Sequence, residues 1–147
     1  MSADTWQQRL AEFEERYKHG RVTLEPDDAI RPVLNARVPN QYGVYVIVGR
    51  RNATRQVCYI GKAGTMVSSG AFRHQGLRER LQAKQQGMSR PEFYRLKMQD
   101  EHWDALEVTW IVTFDHEHQT IPAAAEAELL QAYWDTHRRL PSWNETF

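Results

Sequence analysis

Apolar residues recur along this chain with two periods, and each period marks out its own elements. Over residues 4–18, Trp6, Leu10, Phe13 and Tyr17 fall four, three and four apart, which predicts an amphipathic helix with Asp4 as its cap. His19 and Gly20 close it, because glycine suits a helix C-terminus. Pro26, Pro32 and Pro39 break residues 21–40 into loop or very short helix, an arm anchored by Val22, Leu24, Ile30, Val33 and Leu34. The period then drops to two. Residues 44–48 and 57–60 flank the polar stretch 49–55, a β-hairpin signal. Strict alternation groups Tyr45 with Gly43 and Ile47, and Tyr59 with Val57 and Gly61, leaving Cys58 and Ile60 on the reverse face.

Gly64, Ser68, Ser69, Gly70 and Gly76 mark a flexible loop. Residues 77–86, LRERLQAKQQ, predict a helix closed by Gly87. Ser89 caps the next, with Glu92 three residues on and Phe93, Leu96 and Trp103 as its inner stripe. Residues 106–114 form the clearest strand, with Leu106, Val108, Trp110, Val112 and Phe114 on one face. Pro122 opens a long helix to about His137. In that helix Glu126, Leu129, Leu130, Tyr133 and Trp134 fall on one apolar line, while Glu128 groups with Gln131 and Asp135 outside. A bare buried carboxylate is costly, so Glu126 needs a partner. A salt bridge to Arg80 is the structural answer, and a divalent cation the functional one. The expected fold class is α/β (α+β), with a small, mainly antiparallel three-stranded sheet flanked by helices.

Composition narrows the setting. The 147 residues, 41% apolar and 26% charged, are those of an ordinary globular domain. No apolar run is long enough for a membrane helix, and the polar, acidic N-terminus is unlike a secretory signal. A single cysteine, Cys58, excludes an internal disulfide and fits a reducing cytosol, so a cytoplasmic location is expected. The formal net charge of zero argues against a strongly basic nucleic-acid binder, yet the distribution is uneven. Residues 62–97 carry eight basic and two acidic side chains, a surplus of six. Such a segment is either a pair of solvated helix faces or a place to hold a phosphate backbone. The loop Asp115-His116-Glu117-His118 has a His-x-His pair without further ligands, which reads as solvent-exposed.

Gly43-Val44-Tyr45 followed by Tyr59-Ile60-Gly61 resembles the paired signature of the GIY-YIG endonucleases, with valine for isoleucine in the first triplet. The resemblance extends through Leu77-Arg78-Glu79-Arg80-Leu81, through Glu126-Ala127-Glu128-Leu129-Leu130, and through Pro141-Ser142-Trp143-Asn144. Lys62 matches a lysine found directly after the second triplet in excision-repair members. About residues 41–144 are covered, which makes residues 41–147 the nuclease-like domain and residues 1–40 a helix and arm packed on it. Departures are a longer hairpin turn, a longer interval from Glu126 to Asn144, and an expanded loop between Gly61 and Arg80, as in the restriction-endonuclease branch. Members of that branch often carry His or Tyr four residues after the arginine, where this chain has Lys84.

The resemblance implies a metal-dependent endonuclease cutting DNA, with RNA left open, of the restriction, mobile-element or repair kind. Its site would comprise Tyr45, Tyr59, Lys62, Arg80, Glu126 and Asn144. One Mg²⁺ or Mn²⁺ would sit on Glu126, Arg80 and Lys62 would neutralise phosphoryl charge, and Asn144 would orient groups. Tyr59 would serve as base, with Tyr45 assisting by hydrogen bond. Arg73, His74, Arg78 and Lys84 are candidates for contacting nucleic acid, and specificity would come from the Gly64–Gly76 loop, the N-terminal arm, a homodimer or a partner protein. Two other readings stay open: an inactive nucleic-acid-binding module on the same fold, and a protein-interaction domain using the Trp6/Phe13/Tyr17 helix face.

Overall fold

The computed structural model describes residues 5–73, 75–85 and 87–146. Helix α1 (Thr5–Arg16) leads into strand β1 (Lys18–Leu24), helix α2 (Ile30–Arg37) and the hairpin β2 (Tyr42–Arg51) and β3 (Thr54–Ala63). A small hairpin, β4 (Thr65–Met66) and β5 (Phe72–Arg73), precedes the short helix α3 (Leu77–Arg80). A second, β6 (Lys84–Gln85) and β7 (Met88–Ser89), leads to helix α4 (Arg90–Glu101), strand β8 (Ala105–Phe114) and helix α5 (Pro122–His137). The main sheet is antiparallel and has four strands, ordered β1-β8-β2-β3, not the expected three. The fourth is β1, which lies in a region expected to be helix end and arm.

Helices cover both faces of this sheet. On one, Val44, Val46, Ile60 and Ile111 pack against Trp6, Phe13 and Tyr17, from α1 and the residue after it, and against Leu129, Leu130 and Tyr133 of α5. The aromatic stripe of α1 is therefore core, which removes the interaction surface of the third reading. On the other face Tyr45, Ile47, Leu106 and Val108 meet Ile30 and Leu34 of α2, Leu77 of α3, and Phe93, Tyr94 and Met98 of α4. Each fully buried large side chain contributes roughly 1.5–3 kcal/mol here. Strand β8 is buried from Ala105 to Thr113 because it is central and covered on both sides.

Several local expectations are corrected. Asp4 lies outside the described residues. His19 and Gly20 belong to β1, where Gly20 faces Trp110 and a Cβ would come 2.4 Å from that indole. The hairpin turn shrinks to Asn52-Ala53, with Asn52 at φ 53°, a left-handed conformation that asparagine tolerates. The β2–β3 register slips between Ile47 and Val48, so that Ile47 faces Tyr59 while Val48 faces Val57. Cys58 is the extra residue of this bulge and shares Tyr59's core, whereas Val57 packs on the α5 side, reversing the expected faces. The predicted loop at Gly64–Gly76 contains the β4–β5 hairpin. The expected helix over residues 77–86 stops at Arg80. Leu96 and Trp134, expected inside, are 44% and 42% exposed. Ser89 does cap α4, accepting from Glu92 N–H at 3.4 Å.

Among the described residues, no helix is long and apolar enough to cross a membrane.

Candidate functional site

Four elements converge at the edge strand β3. Tyr45 of β2 stands directly opposite Gly61, and Ile47 opposite Tyr59, so both phenols lie on the α2–α4 face. Their ring centroids are 5.9 Å apart at 38°. Gly61 makes this arrangement possible: a Cβ there would sit 2.6 Å from Tyr45 Cζ and Oη and 2.7 Å from Tyr59 Cε2.

Tyr45 is fully buried, and its hydroxyl has no hydrogen-bond partner among the described residues. Tyr45 therefore makes no hydrogen bond to Tyr59. Burial, reinforced by the neighbouring Tyr59, holds the Tyr45 hydroxyl well above the ordinary phenol range, against the opposing pull of Arg90 and Arg80. It stays protonated at neutral pH. Tyr59 is half-buried.

Lys62 follows Gly61, and its Nζ donates to Thr65 Oγ1 at 3.4 Å. Lys62, Gly64, Thr65, Gln75 and Arg80 line a polar cavity of about 180 Å³. Arg80 ends α3, and its side chain forms no ion pair or hydrogen bond among the described residues. Its backbone is fixed from behind. The buried Arg90 donates from Nη1 to the carbonyls of Arg80 (3.1 Å), Ala83 (3.4 Å) and Lys84 (3.5 Å). Tyr94 donates its hydroxyl to Leu81 O at 2.9 Å. These side chains satisfy carbonyls that would have continued the helix, which accounts for α3 stopping where it does.

Glu126 completes the group from α5. It is half-buried, and burial holds its carboxyl above the ordinary value of 4.5, while Lys62 and Arg80 act in the opposite direction. The two cations are near enough to act on its charge, yet no described residue forms an ion pair or hydrogen bond with it. The salt bridge to Arg80 expected on a structural reading is absent. Glu128, by contrast, is exposed and receives Arg9 Nη1 at 2.7 Å.

Asn144 lies at β3 but clamps the backbone: its Nδ2 donates to Ile60 O at 2.9 Å and its Oδ1 accepts from Ile60 N–H at 3.0 Å. With Trp143 N–H donating to Cys58 O at 2.8 Å, the C-terminal turn pairs the free edge of β3. Asn144→Ala leaves two Ile60 groups without partners. At a net worth of roughly 0.5–1.5 kcal/mol per hydrogen bond, the loss is about 1–3 kcal/mol, or several degrees of Tm. Thermal unfolding measures it, and an unchanged Tm would show that the clamp contributes nothing.

The remaining basic candidates separate. Arg73 is exposed on β5 and Lys84 is exposed on β6. Arg78 is committed to structure, its Nε donating to Val38 O at 2.7 Å. His74 lies outside the described residues. Elsewhere in the basic segment, Arg95 donates to Asp28 O at 2.9 Å and Lys97 pairs with Glu101 at 3.4 Å. Much of the surplus charge thus serves folding, and Lys62 and Arg80 are the cations that line the cavity.

Comparison with protein-family models, with curated proteins and with solved structures gave no match. Function must therefore be argued from the site.

Sequence reasoning missed Thr65, Gln75 and Arg90. Thr65 sits three residues after Lys62 in a stretch that reads as loop. Arg90 reads as a surface cation beside Pro91, and only the tertiary fold turns it inward. Chemically, the site offers two cations and a hydroxyl around one polar cavity, a carboxylate in their field that pairs with neither, and a half-buried phenol. That combination suits an oxyanion-rich group such as a phosphodiester.

Proposed function

We propose that the chain is a metal-dependent endonuclease that hydrolyses DNA phosphodiester bonds on a GIY-YIG-type fold. The observation that carries this reading is Glu126: a half-buried carboxylate within the field of Lys62 and Arg80 but paired with neither. A structural ion pair would have closed that gap. Support also comes from Tyr45 and Tyr59 meeting over Gly61, from Lys62 and Arg80 sharing one cavity, and from the antiparallel sheet that carries the paired triplets on adjacent strands.

Among the described residues there is no group of three or more His, Cys, Asp or Glu able to cage an ion. A lone hard-oxygen donor still fits Mg²⁺ or Mn²⁺, because Mg²⁺ commonly keeps several waters and takes one or two carboxylates beside substrate phosphates. Glu126 would hold it, and when bound it would supply Lewis-acid stabilisation of the phosphoryl and leaving-group oxygens. Arg80 presents its planar fork to a non-bridging oxygen, and Lys62 adds a point charge to the same group. Tyr59 would act as a phenolate, taking the proton of the attacking water and becoming the neutral phenol. Tyr45, kept protonated by burial, packs beside Tyr59 and fixes its ring. Asn144 acts through the Ile60 backbone, holding Tyr59 and Gly61 in place.

Cleavage of supercoiled plasmid and of branched DNA in Mg²⁺, Mn²⁺ and EDTA tests the reading. Cutting in either metal and none in EDTA is expected. Tyr59→Phe should lose about a hundredfold or more, as for removal of a general base, while Tyr45→Phe loses far less. The reverse order would remove Tyr59 as base. Salt-sensitive binding without cutting by the wild type would leave an inactive nucleic-acid-binding module instead.

A further inference from the structure

The expanded segment between Gly61 and Arg80 is an ordered hairpin with two different faces. In β4–β5, Thr65 pairs with Arg73 and Met66 with Phe72. Directly paired residues of antiparallel strands project to the same side, and adjacent residues to opposite sides. Phe72 stacks on Tyr42 of β2, centroids 4.1 Å apart at 11°, and meets Phe114 of β8 at 4.8 Å and 72°. That side is bolted to the main sheet. Gly64 at its base has φ +95°, and a Cβ there would come 2.6 Å from the Tyr42 ring, so the chain passes tightly beneath the stack. The far end is closed by Val67 N–H to Ala71 O and Gly70 N–H to Val67 O, both 2.9 Å.

The opposite side carries Thr65, which lines the cavity and accepts from Lys62, and therefore Arg73 beside it. Arg73 is exposed and forms no ion pair or hydrogen bond among the described residues. A free guanidinium on a rigid mount, next to a cavity already holding two cations, has one evident class of ligand: a further anion covalently continuous with the one in the cavity.

We propose that the β4–β5 hairpin is a fixed arm whose Arg73 holds a second phosphate of the substrate strand, adjacent to the phosphate received by Lys62 and Arg80. The proposal rests on the endonuclease reading of the cavity and adds to it a second phosphate contact outside the cavity, through which a strand is preferred over a single phosphodiester.

The test compares Arg73→Gln with wild type and with Arg37→Gln, which removes an exposed charge on α2 outside the site. DNA oligonucleotide binding is followed by fluorescence anisotropy from low to moderate salt. Cleavage is measured on the oligonucleotide and on bis(p-nitrophenyl) phosphate, which carries one phosphate. Arg73→Gln should shallow the dependence of log K on log salt by about one contact and raise KM on the oligonucleotide about tenfold, a loss at least several times smaller on the single diester. Phe72→Leu, which keeps the side apolar but loses the stack, should shift KM the same way while Tm reports that the chain still folds. An unchanged salt slope in Arg73→Gln, with wild type binding and cutting, would overturn the arm and leave the site reading intact. Equal losses on both substrates would place Arg73 at the scissile group and also overturn it. Failure of wild type to bind or cut any DNA would remove the site reading itself, and the arm with it.

Discussion

Replacing Glu126 with glutamine is expected to abolish the proposed metal-dependent cutting, whereas Glu128→Ala, two residues along the same helix, is expected to leave it intact. The contrast follows from helical phase. Glu126 shares the inward line with Leu129, Leu130 and Tyr133, while Glu128 is exposed and makes a surface ion pair with Arg9. Surface pairs of that kind contribute about 0–1 kcal/mol. A lost metal ligand removes several kcal/mol of transition-state stabilisation, so the expected loss in kcat is about a thousandfold. Gel cleavage of plasmid in Mg²⁺ reads both variants.

The same substitution has a second, independent signature. Burial holds the Glu126 carboxyl above its ordinary value of 4.5. A group whose folded pKa is raised contributes stability that is full below the unfolded value of 4.5 and is lost as pH rises through the folded one. At neutral pH the half-buried anion therefore costs stability, and Gln does not carry that cost. In EDTA at pH 7, Tm of Glu126→Gln should equal or exceed that of wild type, the difference shrinking as pH falls towards 4.5. Adding Mg²⁺ should raise Tm of wild type and not of the variant, since a ligand bound only by the folded state stabilises it. Undiminished cutting by Glu126→Gln, or a lower Tm in EDTA at pH 7, would contradict the assignment.

Legibility in the sequence followed how local each determinant is. The hairpin, β8 and α5 announce themselves through their own period, so the placement of Glu126 opposite Glu128 could be read directly. Strand β1 could not. Of Lys18-His19-Gly20-Arg21-Val22-Thr23-Leu24 only the last three positions alternate apolar and polar, and the strand exists because β8 offers an open edge to pair with. Trp134 sits one residue beyond Tyr133 at the border of the apolar face, where a small rotation of the helix turns it to solvent beside Arg138, whose guanidinium lies 4.6 Å from its ring. Helix α3 fails for a distant reason. Arg90 and Tyr94 reach back to the carbonyls of residues 80–84, and nothing within LRERLQAKQQ signals that competition.

The site divides the same way. Residue types and order were visible, and with them a set of candidates, but their roles depend on contacts between segments. Asn144 reads as a polar group for the site and turns out to brace β3. Arg78 and Arg80 are two residues apart on one short helix, yet one anchors the arm at Val38 and the other faces the cavity. The Cys58 bulge moves Val57 and Cys58 to faces opposite those of simple alternation, because one unpaired residue reverses everything before it in the strand.

Gly61→Ala is expected to damage both fold and activity, and a companion substitution separates the two. The new methyl would lie 2.6 Å from Tyr45 Cζ and Oη and 2.7 Å from Tyr59 Cε2. Tyr45 cannot retreat, being fully buried in one cluster with Leu77, Leu81 and Tyr94. Overpacking of this kind costs about 1–3 kcal/mol, and displacement of the reacting groups by about 1 Å can cost a hundredfold in rate. Tyr45→Phe alone should leave Tm unchanged or raise it, because it removes a buried hydroxyl without a hydrogen-bond partner among the described residues. In the double variant the Oη contact disappears while the Cζ contact remains. Tm should therefore recover in part, with a coupling of about 0.5 kcal/mol or more between the two positions. Additive losses would mean that Gly61 and Tyr45 act independently, and that the glycine between the two phenols is not what holds them together.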